Sequence, residues 1–113
     1  MSVETDVYSA LTGDAGVSAL VSTRVYPQKL PTDVTYPAIA YRFIDSVDYA
    51  NLKEVVRMQI DIYATTYSAV KGVRDAVRTM VDGQLNWVFY GGPDIWQDGQ
   101  EIHHQSVDVR IFR

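Results

Sequence analysis

The chain has 113 residues, enough for one domain spanning 1–113 to bury a core without staples. Its 47% hydrophobic and 21% charged residues exclude a disordered chain, and the absence of cysteine excludes a disulfide scaffold, a thiolate zinc site and a cysteine nucleophile. The net charge of −4 argues against affinity gained by neutralising phosphates, and an acidic wall suits a channel that DNA traverses better than a DNA-binding site. No apolar run approaches the roughly 20 residues needed to span a bilayer, and the polar, acidic start at 1–6 does not read as a secretory signal.

The first segment reads as a helix capped at Thr5 or Asp6, with Val7, Tyr8, Ala10 and Leu11 as its apolar face. After the break at Thr12-Gly13-Asp14, Asp14 caps a second, short helix with Val17, Leu20 and Val21 at helical spacing. The pair is not a DNA reader, because the second helix carries no Arg, Asn or Gln able to reach base edges. Extended structure begins at Arg24-Val25-Tyr26-Pro27, and Pro27, Pro31 and Pro37 impose an irregular or edge-like path. A strand follows Pro37, with Ile39, Tyr41 and Phe43 on one face and Ala38, Ala40, Arg42 and Ile44 on the other. A polar connection over 45–54, from which Tyr49 and Leu52 stand out, leads to a cleanly alternating strand. There Val56, Met58, Ile60 and Ile62 point inward, while Arg57, Gln59, Asp61 and Tyr63 point outward. These two strands predict an antiparallel hairpin with a long tip.

The apolar period changes from 2 to 3.6 across Thr65-Thr66, marking a strand-to-helix junction at the centre of the chain. The helix over 67–81 is expected to bury Tyr67, Val70, Val73, Val77, Met80 and Val81, and Asp82-Gly83 ends it. Its outer face carries Lys71, Arg74, Asp75 and Arg78, a solvated face on the plainer reading. Gly72 costs about 1 kcal/mol relative to Ala inside a helix, which close packing against the sheet would explain. A strand is expected over 85–90, then a Gly/Asp-rich loop with the apolar pair Ile95-Trp96 at its middle. The last strand, 102–112, turns Val107, Val109 and Ile111 inward. The order α-α-β-β-β-α-β-β gives an α+β fold, helices packed on an antiparallel or mixed sheet.

No constellation for chemistry emerges, and no cofactor or metal is implied. His103 and His104 are neighbours on a strand, so they point to opposite faces and cannot grip one metal. Gly91-Gly92-Pro93 lacks the Lys and Ser/Thr of a phosphate loop, and the acidic loop 94–101 lacks calcium-loop spacing. The serines have no nucleophile-elbow context. Apolar residues in polar loops either serve as contacts or fold back onto their own hairpin; the first reading makes Tyr49, Asn51, Leu52, Ile95 and Trp96 candidate interface positions, with Arg74 and Arg78 as a further candidate face.

The chain resembles the tail completion, or tail terminator, proteins of long-tailed bacteriophages, which have relatives in prophages and gene transfer agents. The likeness runs through Tyr8-Ser9-Ala10-Leu11, Ala15–Val21, Arg24-Val25-Tyr26-Pro27-Gln28-Lys29-Leu30-Pro31 and Tyr36-Pro37-Ala38-Ile39-Ala40-Tyr41. It continues through Met58-Gln59-Ile60-Asp61-Ile62-Tyr63-Ala64, the central helix and Ser106-Val107-Asp108-Val109-Arg110-Ile111-Phe112. The resemblance implies a structural protein rather than an enzyme. It implies self-assembly into a ring, typically a hexamer, on the head-proximal end of the tail tube. There the ring would end tube polymerisation and enable head–tail joining. The implied partners are other copies of the chain, the major tail tube protein and the head connector or neck protein, with DNA passing through the lumen unbound and no membrane. The implied location is the virion, at the head–tail interface, after assembly in the bacterial cytoplasm. Two other readings stay open: another ring of the head–tail junction, and a small α+β ligand-binding domain.

Overall fold

The computed structural model describes residues 3–49, 53–91, 94–97 and 102–113, with backbone alone described at 49, 53 and 94–97. Two helices, α1 (Val3–Gly13) and α2 (Ala15–Val21), come first. Then follow β1 (Val25–Pro27), β2 (Ala38–Tyr49), β3 (Lys53–Ala64), α3 (Tyr67–Asp82), β4 (Trp87–Tyr90), β5 (Asp94–Gln97) and β6 (Ile102–Phe112). The expected order holds with one addition: Ile95-Trp96 lie in β5 rather than in a loop, because β6 offers a free edge against which 94–97 pair antiparallel. The sheet order is β1-β2-β3-β6-β4, with β5 also on β6. All pairings are antiparallel except β1 with β2, so the sheet is mixed.

The helices form one layer over one face of this sheet. Val3, Val7 and Leu11 recur at four-residue spacing on α1 and are buried, as are Val17 and Val21 on α2. Helix α1 already includes Val3, ahead of the expected caps Thr5 and Asp6, because Val3 joins the same buried stripe. Asp14 caps α2 as expected, its carboxylate accepting from the Val17 N–H at 3.0 Å. Leu20, counted in the apolar set, is exposed; a helix of 7 residues turns only one narrow face inward. Helix α3 buries Val70, Val73, Val77, Met80 and Val81, each such aliphatic side chain contributing roughly 1.5–3 kcal/mol. Thr66 caps it, its hydroxyl accepting from the Ala69 N–H at 3.1 Å. Tyr67, expected in the core, is instead 50% exposed, its ring lying between His103 of β6 and the Lys71 ammonium at the start of the helix. Gly72 also departs from expectation: it sits on the exposed face, and a Cβ there would meet nothing within 4 Å. Close packing does not account for it.

Beneath the helices, Val56, Met58, Ile60 and Ile62 of β3 and Val107, Val109 and Ile111 of β6 are buried on the predicted inward face. The hairpin is longer than its polar composition suggested. Strands β2 and β3 run through the expected connection to Tyr49 and Lys53, because the backbone ladder continues past the end of the core. A bulge between Phe43 and Asp45 shifts the register, and beyond it Val47 is exposed. The strand expected from Leu85 starts at Trp87: Leu85 projects 86% into solvent, and Asn86 has φ 67, a left-handed turn that aims the chain onto β6.

Candidate functional site

The helix-free face of the sheet carries the densest polar structure. Pairing across β2, β3 and β6 puts Arg42, Gln59, Asp61, His104 and Ser106 on that face. Alternation correctly turned Asp61 outward, yet it is only 3% exposed, because side chains from three strands wall it in. Its carboxylate accepts from Gln59 Nε2 at 2.8 Å, from the Ser106 hydroxyl and from His104 Nε2 at 3.1 Å. Arg42 Nε lies 3.8 Å away. Burial acts to raise the Asp61 pKa, but the hydrogen bonds from His104, Ser106 and Gln59 outweigh it and hold the carboxyl below its ordinary value. The His104 ring stacks on Tyr63 with centroids 4.2 Å apart. Burial, and then the Asp61 charge, raise the Tyr63 hydroxyl.

These residues include an Asp, a His and a Ser, but their connectivity is not that of a nucleophilic triad. Both the Ser106 hydroxyl and His104 Nε2 are directed at the same carboxylate. A serine nucleophile needs the imidazole nitrogen free to take its proton, and here that nitrogen donates elsewhere. The cluster is a polar lock across three strands. Arg57 extends it along the face, 3.1 Å from Asp108 on β6 and 3.5 Å from Asp45 on β2. His103, on the opposite face, meets the Tyr67 ring edge-on at 6.0 Å, so the two histidines diverge as their spacing required. Among the described residues, no three His, Cys, Asp or Glu side chains converge as a metal site would need.

The candidate contact residues are widely separated. Tyr49 closes β2 opposite Lys53, while Asn51 and Leu52 lie outside the described residues. Ile95 and Trp96 pair with His104 and His103, and His103 in turn pairs with Ala64 at the far end of β3. The two tips are therefore separated by the length of β3, about 36 Å at 3.3 Å per residue. Arg74 is half-buried and Arg78 exposed, and both pack on an aromatic ring of the sheet. Their guanidinium carbons lie 5.4 and 5.8 Å from the Phe89 ring of β4, close enough for cation–π attraction. Arg74 also crosses the backbone at Gly91, where a Cβ would come within 3.0 Å of its Nη2. From the other face, Arg110 stacks over Tyr90 at 4.4 Å. Strand β4 is thus flanked by arginines on both faces, an arrangement invisible without knowing that β4 pairs with β6 beneath α3.

Among the described residues the helices cover one face of a mixed sheet, and Phe43, Ile44, Val47, Val88 and Tyr90 stay exposed along β2 and β4. The family model described as tail completion protein gp17 matches residues 5–112. The chain belongs to that family and has a structural role in a phage tail, as part of a virion. Its fold is similar to that of a chain in the virion of a native gene transfer agent particle, with a TM-score of 0.73 at 15% identity. That alignment covers 98% of this chain and 93% of the other. A search of curated proteins gives no match.

Proposed function

We propose that this protein caps the head-proximal end of a tail tube as a ring, typically of six copies, ending tube polymerisation and presenting a surface for head–tail joining. The family match across 5–112 carries the reading. The similar fold of a gene transfer agent virion chain supports it. Its partners are then other copies of itself, the major tail tube protein and the head connector, and DNA passes through the ring without specific contacts. The separation of the two tips fits such a part, since a ring between tube and connector needs contacts at more than one end. In this reading Tyr49, Asn51 and Leu52 serve one contact and Ile95 and Trp96 another, while Arg74 and Arg78 face a neighbouring subunit.

Deleting the gene and imaging the particles by negative-stain electron microscopy tests the proposal. Overlong or headless tails beside full heads are expected. Infectious particles with tails of normal length would refute it.

A further inference from the structure

Among the described residues two edges of the sheet are open, and they match each other. Strand β1 covers β2 only at Ile39, Ala40 and Tyr41, so the edge of β2 beyond Tyr41 is uncovered among the described strands. On the opposite side, β4 ends the sheet. Neither 42–49 nor Trp87–Tyr90 contains proline or lysine, and beyond the bulge between Phe43 and Asp45 the β2 register is regular over 45–49. Strand β4 consists of Trp, Val, Phe and Tyr, all residues that favour strand pairing.

The bonding phase of each edge follows from backbone contacts. Glu54 and Arg113 exchange both of their hydrogen bonds, at 3.2 and 2.8 Å. Antiparallel alternation then points the odd residues of β3 at β2, leaving Ser46 and Asp48 with N–H and C=O groups turned to the open side. The Phe112 N–H donates to the Asn86 carbonyl at 2.9 Å, so Trp87 and Phe89 turn theirs outward on β4.

Direction agrees as well. Strand β2 is antiparallel to β3, β3 to β6 and β6 to β4, so β2 and β4 run in opposite senses. A rotation about an axis to which the strands are moderately inclined preserves those senses, so β4 of one copy meets β2 of the next antiparallel. Setting Phe89 against Ser46 and Trp87 against Asp48 makes two bonded pairs and places Val88 opposite Val47. Both valines lie on the helix-free face, and they are 40% and 48% exposed. This register staggers successive copies by two residues, about 7 Å, as strands tilted in a closed barrel require. Charge is complementary on both faces. Asp48 comes beside the arginine pair over Phe89, and Asp45 comes opposite Tyr90 with Arg110 stacked on it.

The geometry points to a head-to-tail interface between copies of this chain, in which β4 of one adds as an antiparallel strand to the 42–49 edge of β2 in the next. This inference rests on the ring reading and names the surface that builds the ring. Two different edges meet, so the contact is heterologous and propagates around a closed circle.

The chain has no cysteine, which makes cross-linking a clean test. Opposed residues of a non-bonded antiparallel pair have Cα atoms about 4.5 Å apart, within disulfide range. The variant Val47→Cys with Val88→Cys is oxidised as concentrated purified protein and within assembled particles. A reducible ladder of species larger than dimer is expected, while a mixture of the two single variants gives only dimers. Dimers from either single variant alone, or particles that contain the protein without a ladder, would overturn the interface. Wild-type chain missing from particles would refute the tail reading instead, and the purified protein would then decide the interface. If the cysteine pair fails to incorporate, Asp48→Arg and Arg78→Asp are compared singly and together. Loss of assembly in each and recovery in the double supports the pairing; no recovery overturns it.

Discussion

Asp61→Asn is the most informative single change to the fold, because it keeps side-chain size while removing the charge and one of the two acceptor oxygens that the open-face cluster is built around. The carboxylate is 3% exposed and accepts from Gln59, His104 and Ser106. Hydrogen bonds to a charged group contribute roughly 1.5–3 kcal/mol each, and here the cost of burying the carboxylate offsets part of their sum. In the variant, an amide donor faces hydroxyl and amide donors that the carboxylate had satisfied. The expected loss is about 2–3 kcal/mol, or roughly 8–12 °C in Tm for a domain of this size. The pH dependence supplies an independent check. Asp61 titrates below its ordinary value in the folded protein, so its contribution is fully present above the unfolded value of about 3.9. That contribution is lost as pH falls through the lower folded value. Urea unfolding followed by circular dichroism should therefore show a wild-type advantage at pH 7 that shrinks below about pH 4. Equal midpoints at pH 7, or an advantage undiminished in acid, would refute the role assigned to the carboxylate.

Other substitutions probe separate links. Gly72→Ala should stabilise by about 1 kcal/mol, raising Tm by roughly 4 °C, since a Cβ meets nothing within 4 Å on that helix face; a lower melting temperature would count against it. Thr66→Ala removes the hydroxyl that accepts from Ala69 and should cost about 1 kcal/mol in a denaturant titration. Met58→Ala empties a fully buried position and should cost about 2–5 kcal/mol by the same titration. Tyr49→Ala combined with Leu52→Ala should leave the melting curve of the purified protein in place while lowering the yield of complete particles, counted by plaque or transduction assay.

What the sequence conveyed, and what it did not, divides along physical lines. Periodicity reports which face a residue occupies, and it placed Val56 to Ile62, Val107 to Ile111 and Val70 to Val81 correctly, because each stripe is defined within its own element. Burial on the other face depends on neighbours distant in sequence. Asp61 was assigned to the right face, but His104 and Ser106, 43 and 45 residues away, decide that it is buried. Composition misled over 45–49, 53–54 and 94–97, which read as connections although they pair along the edges of β3, β2 and β6. Tyr67 and Leu20 fit the helical period, but Tyr67 is the first residue of α3 and α2 is too short to turn Leu20 inward. The arginines over Phe89 could not be read from charge pattern alone, since the ring reaches them through the β4–β6 pairing. The one available hint was the uninterrupted Trp-Val-Phe-Tyr run, too apolar for an ordinary sheet edge.

The most direct test of tube capping is localisation in intact particles. A gold label on a terminal tag of the protein, viewed by negative-stain microscopy, should mark a single site on each tail, at the junction with the head. Label distributed along the tube, or confined to the distal tip, would contradict the account.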